Sequence, residues 1–125
     1  MAGFEHYAWL MKSEPSEVSV DDVLQMDGCK VGWFGVRNYQ ARNFMRDLCK
    51  IGDPVLFYHS SCAQPGIVGI GEIASEPYPD PTQFEETSGY FDAKSTQEKP
   101  RWVQVDVRVP VSYTHLRAHE TLMNL

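Results

Sequence analysis

Four valines stand at every second position of RWVQVDVRV, Arg101 to Val109. Residues two apart share a face in a β-strand and not in a helix. Val103, Val105, Val107 and Val109 therefore predict a strand with one apolar face, and with Trp102, Gln104, Asp106 and Arg108 on the other. Such a strand needs a sheet to join. HYAWLMK (His6 to Lys12) and VLFYHS (Val55 to Ser60) are short, mostly apolar runs that read as further strands, the first of them central. GIVGIGEIAS (Gly66 to Ser75) is β-like but contains three glycines, which predicts bulges, a tight bend or close approach by another group. VGWFGV (Val31 to Val36) reads as a strand or extended segment.

Two helices interrupt the strands. Ser19 is placed to cap a short helix over Val20 to Met26, with Asp21 and Asp22 at the end where the helix dipole favours anions. Asn38 is placed to cap a second, Tyr39 to Cys49, with Ala41, Phe44, Met45 and Leu48 on its core face and Arg42 and Arg46 on another. The polar, proline-rich stretch from Glu76 to Arg101 reads as a long loop, the kind of segment that carries function. The sum is an α+β domain on a small, curled, barrel-like sheet.

At 125 residues the chain suits one domain, and its net charge of −6 argues against non-specific coating of nucleic acid. The charge is segregated, however. Four cations (Arg37, Arg42, Arg46, Lys50) and one anion (Asp47) lie between positions 37 and 50, whereas Ser61 to Ala93 holds six acids and no Lys or Arg. Any polyanion contact must be local to the first of these regions. The three cysteines, Cys29, Cys49 and Cys62, are widely spaced and read as reduced thiols of an intracellular protein. The N-terminal residues do not resemble a signal peptide, and no run is long enough for a membrane helix.

Enzymatic readings find little purchase. His59 and Cys62 are three apart, a spacing that does not ensure a catalytic pair. His115 and His119 have the step of two ligands on a helix face, but HLRAH lacks the glutamate of a zinc-protease pattern; no metal or cofactor is expected. GIVGIG departs from the order of a dinucleotide fingerprint and reads as a bent strand. A binding site remains. Trp33 stands between glycine and Phe34-Gly35, immediately before the basic helix, where an aromatic ring can stack on a planar base.

AWLMKSEP, GWFGVRNYQARNFMR, GDPVLFYHS, PGIVGIGEI, YPDPTQF and PRWVQVDV, in that order, closely resemble the EVE domain in the form carried by the thymocyte nuclear protein family. The resemblance runs from about His6 to Pro110. It implies a PUA-like twisted β-barrel with short flanking helices, related to the YTH domains that hold methylated adenine in an aromatic cage. It further implies a nuclear, also cytoplasmic, monomeric and non-enzymatic reader of 5-hydroxymethylcytosine or 5-methylcytosine in DNA, holding a flipped base. An RNA-binding PUA-like module is the alternative. Carried onto this chain, the resemblance places Lys12 and Ser13 at a pocket rim, Trp33 as a cage wall, Tyr58, His59 and Ser60 opposite, and Phe91 as a second aromatic face. Asn38 either bonds the base edge or caps its helix, Trp102 belongs to core or cage with core favoured, and Arg37, Arg42 and Arg46 meet phosphates. Two departures stand out: Phe34 replaces a polar or acidic family residue, and residues 111–125 resemble nothing in the family. That tail reads as unrelated or adaptor-derived sequence, which would leave residues 1–110 a C-terminally incomplete domain.

Overall fold

The computed structural model describes residues 7–109 and 121–124. Strand β1 is Tyr7–Ser13 and helix α1 Val20–Gln25. β2 (Lys30–Gly32) and α2 (Tyr39–Asp47) follow, then β3 (Pro54–His59), β4 (Gly66–Ile73) and β5 (Tyr78–Pro79). β6 (Val103–Gln104), β7 (Asp106–Arg108) and β8 (Thr121–Asn124) complete the order. Both helix starts are capped as the sequence predicts. Ser19 and Asp22 form a reciprocal capping box on α1, and Asn38 Oδ1 accepts the Ala41 N–H at 3.0 Å on α2.

The fold is α+β. Six strands form a mixed sheet in the order β2-β7-β4-β3-β1-β8, and β5 and β6 form a separate ribbon. The sheet does not close into a barrel among the described residues, so β2 and β8 are its edges. β1 pairs in parallel with β3 and with β8, while the β2–β7, β7–β4 and β4–β3 pairs are antiparallel. A parallel β1–β3 pair demands a long crossover, and α1, β2 and α2 supply it.

The core lies between α2 and one face of this sheet. Trp9, Met11, Val23, Met45, Val55, Phe57, Ile73, Val105 and Val107 are all fully buried in it. Trp9 brings one polar atom inside, and its Nε1 donates to Asp53 at 2.9 Å; the Lys50 N–H donates to the same carboxylate oxygen at 2.9 Å.

GIVGIG is a strand, bent as expected. The β3–β4 register slips between Phe57 and Tyr58, leaving Val68 as the extra residue of a bulge. Gly71 serves the close approach of β7: a Cβ there would lie 2.4 Å from the Arg108 carbonyl oxygen. The alternation of Arg101–Val109 is half right. Val105, Val107 and Val109 are buried, but so are Trp102 and Gln104, and the strand breaks between β6 and β7. The long loop explains this. A short helical turn, Pro81–Phe84, lays Gln83 across β6, where its side chain donates to Trp102 O and accepts from Trp102 N. β5 covers Gln104, whose Nε2 donates to Tyr78 Oη.

Candidate nucleic-acid-binding cavity

Because β1 and β3 run parallel, their carboxyl ends finish side by side. Lys12 lies opposite Tyr58, Ser13 opposite His59, and the Ser60 N–H donates to Ser13 O at 3.0 Å. Crevices beyond the carboxyl ends of parallel strands are common ligand sites. Here the crevice is a cavity of about 320 Å³, at the small end of ligand sites. Lys12, Ser13, Glu14, Glu17 and Ser60 supply its polar lining. Trp33, Phe34 and Tyr90, with Val18 and Val31, supply its aromatic and apolar lining, and Gly35 also borders it.

Trp33 is only 8% exposed and meets Phe57 edge-on at 5.1 Å between centroids. The other two tryptophans donate their indole N–H to aspartates, Trp9 to Asp53 and Trp102 to Asp92. Trp33 makes no such bond among the described residues, although its backbone N–H is held by Val105 O at 2.8 Å. Its ring is thus fixed from behind with its polar edge unspent.

Tyr90 reaches the cavity from the long loop. Its hydroxyl donates to the Glu17 carboxylate at 2.7 Å, tying the loop to the turn after β1. Burial first, and then that bond, push the phenol up to about 12. The ring packs edge-on against Phe34 at 5.7 Å and over Gly35, where any Cβ would lie 2.9 Å from it. Gly35 also has φ of +84°, a conformation that disfavours other residues, and its N–H donates to Asp80 at 2.7 Å.

Of the pocket residues expected from sequence, Lys12, Ser13, Trp33 and Ser60 line one cavity. Asn38 caps α2 outside it. Tyr58 lies under Lys12, whose Nζ is 5.7 Å from the ring centroid. His59 turns inward: its Nε2 accepts the Val20 N–H at 3.1 Å, fixing the start of α1, and among the described residues no hydrogen bond joins it to Cys62. Phe91 is exposed and Tyr90 takes the place beside the cavity. Glu14, Glu17 and Tyr90 were missed by residue-level reading. Glu14 is itself the third residue of KSEP and Glu17 lies two residues beyond it, so that stretch is the available signal; nothing local distinguishes Tyr90 from Phe91.

The arginines are tied to the protein itself. All five N–H donors of Arg37 are used, on Val36 O, Asp80, Thr82 and, through Nε and Nη2, Tyr90 O. Arg42 donates to Asn43 Oδ1 and to Arg101 O, and Arg46 pairs with Asp47 at the surface. Among the described residues no cluster of His, Cys, Asp and Glu could hold a metal, and no helix is long and apolar enough to cross a membrane. His115 and His119 lie outside the described residues.

A small α+β domain with an aromatic-walled cavity at the ends of two parallel strands defines the class. Residues 7–125 match the EVE domain model, and the chain belongs to that family. It is similar to thymocyte nuclear protein 1 of Gallus gallus, 42% identical over 131 residues, covering 90% of this chain and 54% of the relative. The chain spans about half the length of the curated relatives it matches. A crystal structure of a Pseudomonas syringae protein superposes with a TM-score of 0.76 at 53% identity, over 81% of this chain and 66% of that one. The human THYN1 protein in complex with 5-methylcytosine-containing DNA superposes with a TM-score of 0.77 at 44% identity, over 82% and 65% of the two chains.

Proposed function

We propose that this chain is a non-catalytic reader of modified cytosine in DNA, seating one flipped base against Trp33. The observation that carries this reading is the cavity itself: a largely buried indole in a lining that also holds Lys12 and Ser60, which can donate, and Glu14 and Glu17, which can accept. Cytosine presents an exocyclic amine to accept from and two acceptor atoms beside it, and carboxylates are the groups that take its amine. Val18 and Val31 offer apolar contact for a methyl group at the base edge. A cavity of about 320 Å³ admits a base only outside the helical stack, hence the flipping. The DNA complex of the human relative supports the ligand class, and the name of the curated relatives supports a nuclear site of action.

Binding to duplexes carrying one 5-methylcytosine or 5-hydroxymethylcytosine is measured against the unmodified duplex and matched RNA, at one fixed salt concentration. We expect modified DNA to bind more tightly and Trp33→Ala to erase the difference. Equal affinity for modified and unmodified DNA refutes the reading, and tighter binding of RNA moves it to the RNA-binding alternative.

A further inference from the structure

Arg37 joins the cavity to a second surface. Its guanidinium lies 5.6 Å from the Tyr90 ring centroid on the cavity side and 5.2 Å from the Trp102 ring on the other. Trp102 is buried and pinned by the bond from its Nε1 to Asp92 at 2.7 Å. Tyr39, the first residue of α2, stacks on it at 4.7 Å with 27° between the planes. Yet Tyr39 is 49% exposed, more than any other aromatic ring among the described residues. Two guanidinium groups frame it. Arg42 lies 4.8 Å from its centroid, and Arg101 Nη1 donates to its hydroxyl at 3.4 Å. Arg42 is itself braced by Arg101 O at 2.8 Å. Neither Arg42 nor Arg101 forms an ion pair among the described residues, unlike Arg37 and Arg46. The result is a stacked, half-exposed aromatic ring beside two cations whose nearest acids, Asp47 and Asp92, lie beyond salt-bridge contact, three residues from Val36 of the cavity lining.

We propose that Tyr39, backed by Trp102 and edged by Arg42 and Arg101, is a second DNA contact that stacks the base next to the flipped one. This rests on the reader function proposed above. Charge selects the occupant, since an exposed ring beside two guanidinium groups, neither of them in a salt bridge among the described residues, suits a base with its phosphate. Flipping supplies the need: it strips the neighbouring base of one stacking partner, and an aromatic side chain replaces it without regard to sequence. The contact therefore adds affinity but no preference for the modification.

The test places 2-aminopurine beside a single 5-methylcytosine and measures its fluorescence together with affinity at several salt concentrations. With the unaltered protein we expect quenching on binding. Tyr39→Ala should relieve the quenching and lower affinity roughly tenfold for modified and unmodified duplexes alike, leaving their ratio intact. Tyr39→Phe should keep both signals. Arg101→Ala retains the backbone bonds of that residue and should reduce the salt slope by about one. Unchanged affinity and quenching in a folded Tyr39→Ala, or an unchanged salt slope in Arg101→Ala, overturns the proposal while the cavity reading survives. If the unaltered protein does not distinguish the duplexes but Tyr39→Ala still weakens both, the cavity reading falls and takes with it the placement beside a flipped base, leaving Tyr39 as a general DNA contact.

Discussion

Arg37 illustrates how residue type can suggest one role and geometry another. In sequence it is the first cation of a basic stretch, a natural partner for phosphate. In the fold it is a rivet: it fills the gap between two aromatic rings and neutralises Asp80, which is fully buried and also receives N–H groups from Gly35 and Thr82. Removing one member of a buried pair leaves the other charge uncompensated, at a cost of about 3–5 kcal/mol. Asp80 keeps its other donors, so Arg37→Ala should fall at the lower end, about 3 kcal/mol, in urea denaturation. A loss below about 1 kcal/mol would mean that Arg37 acts as an ordinary surface cation. Tyr90 offers a second residue-scale test through pH. Its folded pKa, about 12, lies above the ordinary 10, so its contribution to stability is complete below pH 10 and is lost as pH rises toward 12. The stability difference between the unaltered protein and Tyr90→Phe should be flat below pH 10 and should shrink between pH 10 and 12. In an ultraviolet titration, Glu17→Gln should bring the Tyr90 transition down part of the way, because burial is the larger cause and remains.

Elements governed by local chemistry were legible in sequence. Ser19 and Asn38 announced both helix starts because an N-cap is a bond between near neighbours. β1, β3 and β4 were legible because an apolar run has few alternatives, and the grouping of Lys12, Ser13 and Ser60 follows once β1 and β3 are parallel. What lay beyond sequence depends on distant segments. Gln104 alternates as if it faced water, and only β5, from the long loop, covers it, whereas Trp102 is buried as the favoured core reading has it. Tyr90 rather than Phe91 meets the cavity because its carbonyl is clamped by Arg37, fifty-three residues away. The glycines of β4 fall between these cases: a bend was predictable, but not what approaches each one. At Gly71 the approaching atom is a backbone oxygen, which cannot move aside, whereas at Gly69 it is a valine methyl at 3.0 Å. Gly71→Ala should therefore cost about 1–3 kcal/mol by thermal unfolding, and Gly69→Ala distinctly less. Equal losses would show that β7 can shift to accommodate a methyl group.

At the scale of the whole molecule, the sheet edge beside β1 is the open question. β1 is a central strand whose Ala8, Trp9 and Met11 are all buried, and its outer neighbour completes its backbone pairing on that side. That neighbour is β8, four residues long; the sequence motifs leave the tail that contains it outside the family, but the EVE domain match runs through it to residue 125. A short edge strand contributes few ladder bonds and leaves an end of the sheet open to pairing with another chain. We propose that this short strand is a weak edge, which a longer edge strand would close better. Replacing residues 111–125 with the corresponding segment of a longer relative should raise Tm, by about 4–8 °C for each kcal/mol gained in a domain of this size, and should reduce aggregation on heating. Affinity for the modified duplex should not change, because every cavity residue lies between Lys12 and Tyr90. An unchanged Tm would mean that β8 closes the edge as well as the relative's segment does; a higher Tm with altered affinity would mean that the edge strand, through β1, also sets the position of Lys12 and Ser13.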